Sequence, residues 1–516
     1  MASSNRCLAL AATLICVWFL AMSGMAHAAG TVTNCTTFGP GAGTLDTALM
    51  GGGTVTFACS GTIVVPEIDI SSGTTSIDAT GHSVTLSGNN ANRVFSVSGA
   101  TLNLTNLTIA HGSGGDGGGI FNGGGTVTVT NCTLSGNSGS NGGGIENSGG
   151  MLTVTNSNFS NNQALADAGG GIDNGGTVTV TNSTLSDNGA FDGGGGIFNS
   201  GTATVTNCTF SGNNITTAGD GGGISNINTL TVTNSTFSGN SASSGDGGGI
   251  FNNNTLKVTN STFSGNASEL GGGGGIHNDP LGSTTLKGTI LAAESGGNCG
   301  GLITDAGYNI SDDLSCPVLS GTSVDGITLN LDPAGLQNNG GPTQTIALEP
   351  NSQAVDFIPV ASCTVSTDQR GFPRPDSGNL NFCDAGAFEL QTRRITVVPS
   401  SERTQIARST TSSDSDQVNM AFSFIDHGSP TLNNLDGIAL NCDAGTNALN
   451  GVEVSLFEGT CASLATANGG LELDLSPFVV HTVNGSSYGT LFQGSPTVPS
   501  PETVSVRILK LPTPLD

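Results

Sequence analysis

One phrase constrains this chain more than any other. Gly-Gly-Gly-Ile returns with its isoleucine at Ile120, Ile145, Ile172, Ile197, Ile224, Ile250 and Ile276, in steps of 25 to 27 residues. Two asparagine anchors keep the same step. One closes Thr-Asn before Ser or Cys, at Asn131, Asn156, Asn182, Asn207, Asn234 and Asn260. The other closes Ser-Gly-Asn or its variants, at Asn137, Asn162, Asn188, Asn213, Asn240 and Asn266. Three markers on one period mean one supersecondary unit stacked many times.

Each unit spells three short strands. Thr126-Val127-Thr128-Val129-Thr130 alternates polar and apolar, the period of a half-buried strand. A second strand carries one apolar site, filled by Leu134, Phe159, Leu185, Phe210, Phe237 and Phe263. The third places Ile inward between the glycines and an Asn. Three strands joined by Gly and Asn corners make one coil of a β-solenoid of about 26 residues per coil. About eight such coils give a rod about 40 Å long at the spacing of hydrogen-bonded strands. Like stacks on like, and the recurrent Asn forms an amide ladder at a turn. Proline, which has no N–H for a ladder, is absent between Pro66 and Pro280.

Composition narrows the partners. Charged residues are 10% of the chain and the net charge is −26, which argues against nucleic acid and anionic membrane surfaces. The N-terminus reads as a secretory signal: Arg6, an apolar stretch from Leu8 to Met22, and the small-residue pattern Ala26-His27-Ala28. The mature chain is expected to begin near Ala29, to be secreted to the extracellular space or cell surface, and to carry no transmembrane segment. Cysteines agree with export. Proximity pairs Cys35 with Cys59, Cys299 with Cys316, Cys363 with Cys383 and Cys442 with Cys461, all outside the regular repeats. Cys132 and Cys208 are left over at a repeat position filled elsewhere by Ser157, Ser183, Ser235 and Ser261. They are read as inert buried thiols, three coils apart and beyond disulfide reach. Thr44-Leu45-Asp46-Thr47-Ala48-Leu49 reads as a short helix covering the open edge of the first coil.

Two resemblances follow from these residues. Gly-Gly-Gly-Ile with Phe-Ser-Gly-Asn (Phe237 to Asn240, Phe263 to Asn266) resembles the repeats of polymorphic outer membrane proteins. The segment from Leu336 to Glu389, with Asp368-Gln369-Arg370-Gly371-Phe372-Pro373-Arg374 and Cys383-Asp384-Ala385-Gly386-Ala387-Phe388-Glu389, resembles the choice-of-anchor Q domain of bacterial exported proteins. The first resemblance implies a surface β-helix with a part in adhesion, the second an attachment to the cell surface. The expected layout is an all-β chain. It has a signal peptide over 1–28, a cap over 29–75 and a right-handed parallel β-helix over 76–299. A choice-of-anchor Q-like segment over 300–390 and a β-sandwich-like domain over 391–516 follow.

The polar candidates are few. Asp116, Asp167, Asp192, Asp220 and Asp246 each stand four or five residues before a repeat isoleucine. Stacked carboxylates suit Ca²⁺, and solvated turn residues are the competing, favoured reading. Asp368, Arg370, Arg374, Asp384 and Glu389 gather charge around two cysteines, a site or, preferably, a structural ion cluster. His111 and His277 have no spaced partners for a metal. Asn182-Ser183-Thr184 and its like spell glycosylation sequons, read here as turn chemistry. No Lys or Arg occurs between Arg93 and Lys257, and the only Trp lies in the signal. An anionic polysaccharide would find no cations there, and the phenylalanines are expected in the core. The expectation is a non-enzymatic adhesion or structural protein without cofactors, meeting extracellular glycans or proteins. The alternative is a polysaccharide lyase or glycoside hydrolase on a β-helix scaffold.

Overall fold

The computed structural model describes residues 30–50, 53–217, 219–316, 321–376 and 380–396, and beyond them strands between 417 and 510. The segment expected to be a signal peptide, and Cys442 and Cys461, lie outside the described residues. The chain divides into two compact units. One is residues 1–327 with 342–344, and the other is 328–341 with 345–516.

The first unit is a right-handed parallel β-solenoid of about 11 turns. Three long parallel sheets form its faces. Sheet A holds 12 strands, starting with Gly30–Val32, Gly53–Phe57 and Thr74–Asp78 and ending with Ser283–Lys287 and Ile303–Asp305. Sheet B holds 11 strands from Gly61–Val64 to Ile310–Ser311, and sheet C 10 strands from Ile68–Ile70 to Cys299–Gly300. A fourth, sheet D, stacks six two-residue strands between sheets B and C. At strand spacing the rod is about 50 Å long. It exceeds the expected eight coils because the ladders also take in the irregular segments flanking the repeats. Parallel pairing already joins Gly30–Val32 to Gly53–Phe57.

Each corner has a chemical reason. The A-to-B corner is the Asn of Thr-Asn, at positive φ in Asn106, Asn131, Asn156, Asn182, Asn207, Asn234 and Asn260; asparagine tolerates that left-handed backbone. The sequon residue Asn182 is one of these corners. His111 sits at the next corner, also at positive φ, where later coils place Gly136 or Asn161. The glycine run is needed because coils approach backbone to backbone. A Cβ at Gly144 would lie 2.5 Å from the carbonyl oxygen of Gly171 one coil on.

Inside, apolar rows run along the axis. Ile120, Ile145, Ile172, Ile197, Ile224, Ile250 and Ile276 are fully buried. Phe210, Phe237 and Phe263 stack with ring centroids 4.7 and 4.6 Å apart. Two buried amide ladders accompany them. The Ser-Gly-Asn row links Asn137, Asn162, Asn188, Asn213, Asn240 and Asn266 by Nδ2–H donation to the next Oδ1, at 2.8–2.9 Å. The row that follows each isoleucine links Asn122, Asn147, Asn174, Asn199, Asn226, Asn252 and Asn278 at 2.7–2.8 Å. A third row uses side chains to accept backbone N–H groups. Ser157 Oγ accepts from Cys132 N, Ser183 Oγ from Ser157 N, and Cys132 Sγ from Leu107 N. Each row meets the rule that buried polar groups be paired.

The N-terminal edge is capped by helix α1 (Leu45–Met50), whose Leu45 and Ala48 are buried. Thr44 begins it as N-cap, its Oγ1 accepting from Thr47 N. The Cys35–Cys59 disulfide ties this cap, and Cys299–Cys316 ties the far end.

In the second unit, Cys363–Cys383 closes a loop, and from Thr392 onward the described strands pair antiparallel in sheets of three and six strands. Among the described residues no helix is long and apolar enough to cross a membrane.

Candidate functional site: the outward column of sheet C

Seven successive three-residue strands of sheet C, from Ile120–Asn122 to Ile276–Asn278, read Ile-x-Asn. Ile and Asn point inward, so alternation turns x outward. Parallel register stacks these residues in one column: Asp69, Ser96, Phe121, Glu146, Asp173, Phe198, Ser225, Phe251 and His277. Loops rich in glycine run beside it between sheets D and C, and these loops carry the aspartate series.

Sequence reasoning placed the phenylalanines in the core. Phe95, Phe159, Phe210, Phe237 and Phe263 are there, fully buried. Phe121, Phe198 and Phe251 instead stand on the outer face between an inward Ile and an inward Asn, the first two half-buried and Phe251 covered. The three-residue Ile-Phe-Asn strand carries that signal, since a residue flanked by two inward neighbours must face out.

At one end of the column Arg93 lays its guanidinium 5.1 Å over the Phe121 ring and pairs with Glu67 at 2.6 Å. Its Nε donates to the carbonyl oxygens of Asp116 and Gly117. At the other end His277 stacks on Phe251 at 5.5 Å, and its Nε2 lies 3.8 Å from Asp246 Oδ2. Its Nδ1 donates to the Gly272 carbonyl at 2.9 Å. His277 thus has partners in space that its sequence neighbours do not announce.

The middle of the column has no Lys, Arg or His among its outward residues. Glu146 and Asp173 are register partners on adjacent strands, and both are half-buried. Burial pushes the Glu146 carboxyl up to about 7, with Asp116 and Asp167 repelling its charge and Arg93 opposing them. Burial pushes Asp173 up to about 8, with repulsion from Glu146, Asp167 and Asp116 added. Glu146 Oε2 is buried and takes no hydrogen bond among the described residues.

The aspartate series spreads along the rod beside this column. Asp116, Asp167 and Asp192 are exposed, and Asp220 and Asp246 are half-buried. Asp220 Oδ1 accepts from the Asp246 N–H at 2.8 Å, and burial raises the Asp220 carboxyl. Among the described residues no three His, Cys, Asp or Glu side chains gather as a metal-holding group.

The charged segment of the second unit is a knot. Asp368 Oδ1 accepts from the N–H of Arg370 and Phe372, and its Oδ2 from Arg370 Nε and Glu389 N. Arg370 lies over Phe388 at 3.7 Å and Phe372 at 4.5 Å. Arg374 donates to the carbonyls of Asp384 and Gly386 and sits 3.4 Å from Glu389. These groups are buried and spend their valences on the segment's own backbone, as a structural cluster does. The two unpaired thiols are buried as well. Burial raises Cys132 to about 11 and Cys208 to about 12, far from a reactive thiolate.

The family model described as right handed beta helix region matches residues 25–210 and, overlapping, 117–291. No curated protein and no solved structure matches the chain. The two overlapping matches together span just over half of the 516 residues and run along the solenoid whose coils build the column, so the chain belongs to the right-handed β-helix family.

Proposed function

We propose that this is an exported β-helix protein that acts by recognition at or beyond the cell surface, with the outward column of sheet C as its contact face. One observation carries the reading. Seven successive coils repeat their inward Ile and Asn, while the residue between them runs Phe, Glu, Asp, Phe, Ser, Phe, His. Uniform scaffold with varied aromatic and acidic side chains, most of them half-buried, is the composition of a binding face rather than of a solvated wall. Three disulfides support an oxidising compartment. The choice-of-anchor Q-like segment and the resemblance to polymorphic outer membrane protein repeats support a place at the surface. The test is to fractionate producing cells, sequence the N-terminus of the mature chain, and compare wild type with Phe198→Ala in adhesion to cells and immobilised glycans. Retention in the cytoplasm, or adhesion unchanged by Phe198→Ala, overturns the reading.

A second reading has its own observation. Glu146 and Asp173 stand one strand spacing apart with raised carboxyls, and retaining glycoside hydrolases hold two carboxyl groups about 5 Å apart. Flanking Phe121 and Phe198 suit the faces of a neutral sugar. A polyuronate remains disfavoured, because no Lys or Arg lies between Arg93 and Lys257. Hydrolysis of a neutral polysaccharide that disappears in Glu146→Gln and Asp173→Asn would establish this reading over simple recognition.

A further inference from the structure

The column already shows how it holds a cation. At Phe121 the guanidinium of Arg93 lies on the ring while Glu67 takes its charge. The knot in the second unit repeats the arrangement, with Arg370 against Phe372 and Phe388 and paired to Asp368 at 2.8 Å. At Phe251 the imidazole of His277 takes the place of the guanidinium, with Asp246 beside it. Phe198 is the third phenyl of the column. Asp173 neighbours it on the adjacent strand and Glu146 follows one strand further, yet no Lys, Arg or His side chain of the column occupies this stretch.

We infer that the stretch Glu146–Asp173–Phe198 docks an extended basic segment of a partner protein, with an arginine of that segment lying on Phe198 and its charge taken by the two carboxylates. The inference rests on the recognition reading above and names the chemistry of the partner. Charge complementarity argues for it: the chain carries −26, and the aspartates of the adjacent loops, Asp116, Asp167 and Asp192, extend the negative field along the rod. Arginine fits better than lysine because a planar guanidinium stacks on a ring and pairs with a carboxylate at once. An amino-sugar ammonium is a compact, strongly hydrated point charge with no planar face to lay on the ring.

The charge state of the pair gives a readout beyond affinity. Glu146 is faced by Asp116, Asp167 and Arg93, and Asp173 by Glu146, Asp167 and Asp116. Burial first, and then mutual repulsion of these carboxylates, keeps protons on the pair near neutrality, and a bound guanidinium displaces them. Binding therefore releases protons and tightens as pH rises from about 5.5 to about 8.5.

The experiment uses the full-length chain and a labelled peptide of alternating Gly and Arg, with its Lys counterpart, at low salt. Expected are binding of the Arg peptide about tenfold or more tighter than the Lys peptide, and tightening with pH. Loss of about tenfold or more is expected in Phe198→Ala and in the isosteric pair Glu146→Gln with Asp173→Asn. Phe198→Tyr should restore binding, and Asp46→Asn, remote in the N-terminal cap, should leave it unchanged. Thermal unfolding of each variant separates loss of binding from loss of fold. Equal binding of both peptides, binding that survives Phe198→Ala, or binding that Asp46→Asn weakens as much would overturn the inference. A glucosamine oligomer that binds in place of the Arg peptide and is lost in Phe198→Ala would overturn the partner's chemistry while keeping the column as a recognition face. If neither probe's binding depends on the column, the recognition reading falls with it.

Discussion

Sheet A and sheet C share one solenoid and one register, yet their outer faces differ in kind. Along sheet A the outward residues are mostly threonine: Thr126, Thr128 and Thr130 stack on Met151, Thr153 and Thr155, and these on Thr177, Thr179 and Thr181. Along sheet C the single outward residue of each strand changes chemistry at almost every coil. Threonine on a solvated strand suits the pleated backbone and its β-branched packing, so sheet A needs nothing further to explain it. Sheet C departs from that default, and the departure is where aromatic and acidic side chains gather. A repeat protein can be read this way without relatives, because its own coils serve as the comparison set.

The inward rows should break first and hardest. Ile197→Asp places an unpaired charge among fully buried residues, at a cost on the order of 5 kcal/mol. Limited proteolysis should then cut several coils together, and thermal scans should lose their cooperative transition. An unchanged melting curve would contradict the interior assigned to this face.

Next comes the amide ladder. Asn188 Nδ2 donates to the Phe159 carbonyl and to Asn213 Oδ1, and its own Oδ1 accepts from the N–H and Nδ2 of Asn162. Asn188→Ala leaves buried partners unsatisfied and should cost about 3 kcal/mol. A denaturant titration measures it.

A smaller effect is expected from pH. The native carboxyls of Glu146 and Asp173 hold protons up to about 7 and about 8, whereas an unfolded carboxyl loses its proton near its ordinary value. Between those limits the native state binds more protons than the unfolded one, so stability falls as pH rises. The contribution is intact below about pH 4 and is lost by about pH 8. Asp173→Asn should flatten this slope and raise the melting temperature at about pH 9 relative to wild type. A wild-type melting temperature that climbs from pH 5 to pH 8 along with the variant's would show that the pair is not buried as described.

The smallest change sharpens the contrast. Thr179→Ala on sheet A should alter stability by no more than about 0.5 kcal/mol and leave binding untouched. Phe198→Ala, also outward, should weaken binding about tenfold or more while changing the melting curve far less than Ile197→Asp does.

Much of this was legible in the residues, for a physical reason. A parallel solenoid is a one-dimensional stack, so periodic identity in the chain becomes vertical contact in space. The isoleucine row, the amide ladder and the positive-φ corners at Asn131 and its equivalents all follow from the period and from which residues tolerate a tight turn. Two buried asparagine rows exist where one was expected, because the Asn after each isoleucine closes its own ladder. The outward place of Phe121, Phe198 and Phe251 was present in the Ile-Phe-Asn strands, but hydrophobicity outweighed alternation in a strand only three residues long. What the chain by itself determined is therefore the repeat, its corners and its inward rows, which depend on local backbone preference and a fixed step. Only the tertiary structure decided that Glu146 lies beside Asp173, that Arg93 crosses to Phe121 and that His277 stacks on Phe251 near Asp246. Those neighbours arise from the register between coils and from the loops that bury them, and burial, not residue type, sets the protons that the two carboxyls hold.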